Sequence, residues 1–138
     1  MKRGKILALD YGTKNVGLAC CDELAVTVRP LPSLPNQSRR NLFTRLRAAI
    51  QENAIEELVV GIPLNLNGTP GQAVRLVEKF IKDLRAESGL PIHSVDERLS
   101  TVEALETWNA MSARQQRRYR TVDSLAAAFI LERFLEET

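Results

Sequence analysis

The stretch ILALDYGTKNVGLACCDELAVTVRPL, Ile6–Leu31, decides the fold class. It holds three apolar runs, Ile6–Asp10, Val16–Cys21 and Ala25–Leu31, each the length of a strand and too short for a helix. Tyr11-Gly12-Thr13 closes the first run with a turn signal, and Asp22-Glu23 fits a tight hairpin connection between the second and third. Pro30, Pro32 and Pro35 are expected to end the third run, because proline cannot donate to a strand ladder. The chain is therefore expected to begin with a three-stranded antiparallel meander.

Downstream the period changes. In Ser38–Asn53, Leu42, Leu46, Ala49 and Ile50 fall at i, i+4, i+7 and i+8, one face of a helix. Glu57–Pro63, ELVVGIP, is a continuous apolar run typical of a strand covered on both faces. Thr69-Pro70 reads as a helix entry, with Thr69 as cap and Pro70 in the first turn. Val74, Val77, Ile81 and Leu84 form the next helical face, which Gly89 stops. Pro91–Glu97 is a fifth strand, and the capping box Ser100–Glu103 opens a helix to about Met111. Ser112–Thr121 is polar and basic without apolar periodicity, so a poorly ordered loop is expected there. Thr121 can cap a last helix, Val122–Glu136, with Leu125, Ala126, Phe129 and Ile130 facing the core. The order β-β-β-α-β-α-β-α-α predicts an α/β fold. Its mixed five-stranded sheet would have three antiparallel strands, then two parallel, with helices on both faces.

At 138 residues the chain fits a single domain, residues 1–138, and 44% hydrophobic content is enough for a core. Apolar runs such as Ser124–Leu131 are far shorter than a membrane span. The basic start, Met1–Lys5, leads into an apolar run that ends at Asp10, too short for a secretion signal, so a cytoplasmic protein is expected. Cys20 and Cys21 are neighbours on opposite faces of a strand, and no Cys/His cluster supports zinc. The net charge of +2 says little about partners, but its distribution says more. Ser38–Arg47 carries four arginines and no acid, and Ser112–Val122 carries Arg114, Arg117, Arg118 and Arg120. Such clusters suit nucleic acid when they stand beside a reactive site, and are otherwise solvated faces.

Three carboxylate positions stand at element ends that this topology can bring together. Asp10 closes the first strand, Asp96-Glu97 closes the fifth, and Asp123 lies in the first turn of the last helix. Carboxylate oxygens are the ligands of hard divalent cations. Two such ions about 3.5–4 Å apart clamp the attacking and leaving oxygens of a phosphodiester displacement. Each residue also has a plain structural role open to it: a turn at Asp10, a charged strand exit at Asp96-Glu97, a helix cap at Asp123. Alternation sends Asp96 and Glu97 to opposite faces, and the residues alone do not choose between them. Gly12 and Gly17 would let backbone run close to a phosphate or metal. His93 reads as structural, and Trp108 and Tyr119 as either core or base-stacking groups.

Four blocks, ALDYGTKNVGLA (Ala8–Ala19), VVGIPLNLNGT (Val59–Thr69), VDERLSTVEA (Val95–Ala104) and VDSLAAAFIL (Val122–Leu131), together resemble the bacterial YqgF family over nearly the whole chain. The resemblance implies a ribonuclease-H-like fold and a nuclease that matures the 5′ end of pre-16S ribosomal RNA. The alternatives are a Holliday-junction resolvase acting on branched DNA, or a ribosome-assembly module that binds RNA without cutting it. Carried over by position, the resemblance puts the catalytic and metal-binding acids at Asp10, Glu97 and Asp123, with Asp96 as the fallback for Glu97 and Mg²⁺ or Mn²⁺ as cofactor. Lys14, Asn65, Arg98, Arg117, Arg118 and Arg120 are the expected substrate contacts. Relatives often carry a basic residue where this chain has Thr121, so the phosphate contact expected there is either moved to Arg120 or weakened. A monomer or a homodimer fits. Asp10–Lys14 also resembles the first phosphate loop of actin-like ATPases and sugar kinases, but those need two such domains.

Overall fold

A computed structural model of the chain describes residues 4–22, 24, 27–63, 71–97 and 100–137, the side chains of Ser100 and Thr101 excepted. Five strands, β1 (Lys5–Tyr11), β2 (Asn15–Cys21), β3 (Val28–Pro35), β4 (Ile55–Ile62) and β5 (Ile92–Asp96), form one sheet in the order β3-β2-β1-β4-β5. The first three pair antiparallel; β4 and β5 add in parallel, as expected. The described residues also form five helices: α1 (Arg39–Glu52), α2 (Gln72–Ser88), α3 (Ser100–Ala110), α4 (Ala113–Tyr119) and α5 (Val122–Glu137).

Strand alternation sorts the core into two layers. Leu7 and Leu9 of β1, Leu18 of β2 and Leu58 and Val60 of β4 pack with Leu42, Leu46, Val77, Phe80 and Leu84 of α1 and α2. Ile6, Ala8, Cys21, Val59 and Val95 pack on the other face with Ile130, Leu131 and Phe134 of α5. Cys20 and Cys21 thus face opposite layers, both buried and neither in a disulfide. Among the described residues no helix is long and apolar enough to cross a membrane.

Three expectations need correction. Pro30 and Pro32 do not end the third strand, which runs on to Pro35 as its last residue: Pro30 pairs with Ala19 and Pro35 with Asn15. An edge strand tolerates them because only one side of it must donate. The entry to the second helix also falls later than expected. Thr69 and Pro70 lie outside the described residues, and α2 starts at Gln72 with Gly71 in the cap position. Residues 112–121 are no loop: Ala113–Tyr119 is a helix. Ser112 accepts from the Gln115 amide at 3.2 Å while Gln115 accepts from the Ser112 amide at 2.9 Å, a reciprocal cap. Gln116 then donates to the Trp108 carbonyl at 2.8 Å, and Arg117 and Arg118 sit in the last turn, where the helix dipole favours cations. The other helix ends stand where the sequence sets them, with Ser38 capping α1 and Gly89 left-handed (φ 66) after α2.

One glycine decides how α5 docks. A Cβ at Gly17 of β2 would collide with the backbone of Asp123, so the first turn of α5 lies directly on the strand. What the missing side chain at Gly17 admits is the helix backbone beside Asp123. Gly17→Ala should therefore lower unfolding stability by about 1–3 kcal/mol in denaturant titrations, the usual cost of overpacking.

Candidate active site

The alternation that builds the α5 layer also delivers the carboxylates. Asp10 follows Ile6 and Ala8 on the α5 face of β1; Glu97 follows His93 and Val95 at the end of β5; Asp123 is in the first turn of α5. Glu97 continues the parallel ladder through its amide, which donates to the Ile62 carbonyl at 3.0 Å. Its side chain is only 5% exposed and lies over Gly61, where a Cβ would meet the carboxyl group at 2.6 Å.

Asp10 and Glu97 touch. Burial, then the Asp10 charge and a hydrogen bond to Asp10, push the Glu97 carboxyl up to about 9. Burial also raises Asp10, to about 6; the hydrogen bond from Glu97 lowers it and the Asp123 charge adds to the rise. The metal-free pair thus shares one proton, with protonated Glu97 donating to the Asp10 carboxylate. Asp123, half-buried, is raised by burial. Between the two candidates for the middle acid, Glu97 is the one against Asp10, while the Asp96 carbonyl accepts from Arg133 at 2.8 Å.

Among the described residues, Oε2 of Glu97 is buried without a hydrogen-bond partner. A pair of carboxyls forced together, one with an unbonded oxygen, is a donor set that suits a hard cation. Among the described residues, three or more such side chains do not converge as a preformed metal cage: the arrangement is a contacting pair with a third carboxylate in electrostatic reach.

A group that sequence reasoning missed sets the start of α5. Two residues, Pro32 and Ser33, stand opposite Gly17 where the β2–β3 register shifts, a bulge that lets Leu31 and Leu34 both enter the α1/α2 layer. Ser33 is thereby turned to the α5 face, where its hydroxyl meets Thr121 Oγ1 at 2.6 Å and Ser124 Oγ at 3.2 Å. Thr121 also caps α5 as expected, accepting from the Ser124 amide at 3.0 Å.

Of the expected substrate contacts, Lys14 is exposed on the β1–β2 turn, and Arg117, Arg118 and Arg120 are exposed on α4 and its exit. Asn65 and Arg98 lie outside the described residues. Arg120 has φ 72 and ψ −64, with the Thr121 amide donating to the Tyr119 carbonyl at 2.8 Å. This is a tight γ-turn in a region that side chains other than glycine rarely adopt. The α1 arginines divide: Arg47 pairs with Glu87 at 2.7 Å and Arg39 lies 4.0 Å from Asp83, so half of that cluster is bound within the protein. Trp108 and Tyr119 pack on Ala104, Leu125 and Ala126 and serve as core. His93 bonds Glu57 at 3.0 Å and stacks on Phe134, the structural role expected of it.

Residues 4–137 match the family model described as RuvX: Holliday junction resolvase. The chain belongs to the RuvX (YqgF) family. Among RuvX relatives, one from Koribacter versatilis named "Putative pre-16S rRNA nuclease" is 39% identical over 96% of this chain and 87% of its own length. Another of the same name, from Lachnospira eligens, is 38% identical over 96% of both chains. RuvC of T. thermophilus, solved with a Holliday junction substrate, aligns with TM-score 0.57 at 13% identity, covering 98% of this chain and 96% of RuvC. The fowlpox virus Holliday junction resolvase aligns with TM-score 0.58 at 14% identity, covering 97% and 99%. At such identities the RuvX fold is what is shared, and it is ribonuclease-H-like, as the sequence implied.

The raised carboxyls give the metal-free RuvX domain a pH signature. A carboxyl raised in the folded state stabilises fully below its ordinary range, and the contribution is lost as pH rises through about 6 for Asp10 and about 9 for Glu97. Melting in EDTA should therefore fall from pH 5 to pH 9. Glu97→Gln should flatten that slope and at pH 9 exceed the wild type by on the order of 1 kcal/mol, roughly 3–5 °C for a chain of this length.

Proposed function

We propose that this chain is a divalent-metal-dependent nuclease that hydrolyses phosphodiesters at the 5′ end of pre-16S rRNA. The observation that carries this reading is the Asp10–Glu97 carboxyl pair at the C-terminal ends of β1 and β5, with Asp123 close enough to perturb it. The names of the RuvX relatives point to the same substrate. Asp10, Glu97 and Asp123 would hold Mg²⁺ or Mn²⁺. When bound, such ions supply a metal-activated water and neutralise the charge that develops on the phosphate. The protein's own part is to hold the cations and the substrate. Arg120 is three residues from Asp123, and with Arg117, Arg118 and Lys14 it offers cations to the RNA backbone on the approach to the acids. Asn65 and Arg98 join them on the strength of the family resemblance. A substrate of this kind sets the work in the cytoplasm and asks no more than a monomer.

The family description supports a second reading, resolution of four-way DNA junctions, whose symmetric double cut would call for a two-fold homodimer. Matched precursor rRNA and junction DNA, each incubated with Mg²⁺, Mn²⁺ or EDTA, separate the two. The expected outcome is metal-dependent cutting of the RNA, with Asp10→Asn slowed by on the order of 10² or more. Equal cutting in EDTA, or full activity of Asp10→Asn, would overturn the metal mechanism; junction cutting alone would favour the resolvase.

Arg117 and Arg118 supply a separate check on substrate grip. Replacing both with alanine should weaken RNA binding and reduce the salt slope by up to about one unit for each phosphate no longer neutralised. Both side chains are exposed, so melting temperature should barely change. A large drop in stability with an unaltered salt slope would instead make them structural.

A further inference from the structure

The polar cluster at the start of α5, buried at Ser124 and half-buried at Ser33 and Thr121, has no part in the chemistry described so far. Ser124 is fully buried, and its hydroxyl donates to the Leu31 carbonyl at 2.6 Å. Thr121 donates to Ser124 Oγ at 3.1 Å. With the Thr121 proton so engaged, Ser33 is the donor in its 2.6 Å contact with Thr121. The result is a one-way chain, Ser33 to Thr121 to Ser124 to the Leu31 carbonyl, in which every hydroxyl proton has an acceptor. It ties the bulge of β3 to both sides of Asp123.

Helix capping accounts for Thr121 alone. Beyond its first turn α5 meets the sheet mainly through apolar atoms, with the Arg133 bond to the Asp96 carbonyl near its far end, and its Ala126, Ala127 and Ala128 lie buried in a row. Small side chains permit close approach but interlock weakly, so they leave the helix free to slide or rotate by a fraction of an ångström. Directional hydrogen bonds remove that freedom. The backbone contact at Gly17 limits how near α5 can come; the hydroxyl chain fixes where along the strand it stops.

We infer that Ser33, Thr121 and Ser124 are positioning residues that set the placement of Asp123 relative to the Asp10–Glu97 pair, and thereby the affinity of the site for a divalent cation. They reach neither cation nor substrate. The inference rests on the proposed metal site but not on the identity of the nucleic acid.

Direct Mn²⁺ titration of the full chain, followed by calorimetry, tests it with Ser33→Ala, Thr121→Val and Thr121→Ser. Phe134→Leu, at the far end of α5, is the control for a general loosening of packing. Ser33→Ala and Thr121→Val should each weaken Mn²⁺ binding about tenfold or more, as changes to groups that orient metal ligands do. Thr121→Ser should restore it, and Phe134→Leu should melt at a lower temperature while keeping wild-type affinity. RNA binding in EDTA should be unchanged in Ser33→Ala. Wild-type Mn²⁺ affinity in Ser33→Ala and Thr121→Val, no rescue by Thr121→Ser, or affinity that merely tracks melting temperature through Phe134→Leu would overturn the positioning role. A wild type that binds Mn²⁺ and cuts no nucleic acid removes the nuclease reading and leaves the positioning role standing. A wild type that binds no Mn²⁺ overturns both.

Discussion

Asp123 comes within reach of the other acids because the first turn of α5 lies with its backbone on Gly17, directly opposite Asp10 in the β1–β2 pairing. A side chain there would hold the helix off by the width of a methyl group. Several other features follow from that contact. The opposing strand bulges at the same level, Ser33 turns toward the helix, and Asp10 faces a helix N-terminus whose dipole favours negative charge. Helix and strand so close leave little space for water, which is why burial leads the causes of the raised carboxyls.

The same crowding makes the site a poor contributor to the stability of the free protein. In contact and without a positive charge between them, Asp10 and Glu97 do not both ionise until the pH reaches about 9, and among the described residues one oxygen of Glu97 has no hydrogen-bond partner. A fold that optimised its own stability would place apolar side chains there. Retaining the carboxyls is consistent with a ligand that binds only the folded state and restores stability on binding.

Much of this was legible in the sequence. The two strand-end positions and the helix-start acid could be placed because period-2 and period-3.6 patterns fix where each element begins and ends. They leave the choice of Glu97 over Asp96 open, and it comes from the packing of His93 and Val95 against α5. What escaped was local chemistry overridden by context. Prolines signal a strand end unless the strand lies at an edge, which depends on pairing and not on composition. Residues 112–121 lack an apolar stripe, and their helix rests on a Ser112–Gln115 cap and a side chain reaching back to Trp108. Ser33 could not be found at all, since strict alternation puts it on the opposite face and only the bulge turns it.

The prolines of β3 have one more consequence. Three of the eight residues in this outermost strand carry no N–H, so the strand presents an interrupted row of donors to anything that comes alongside. At the other margin β5 is only five residues long. The sheet is therefore hard to extend sideways into a neighbour, which guards against chain-to-chain strand addition at the concentrations where flat edges aggregate. Should two copies associate, helices and loops would have to make the contact, leaving the carboxylate edge of each sheet as it is in the single chain.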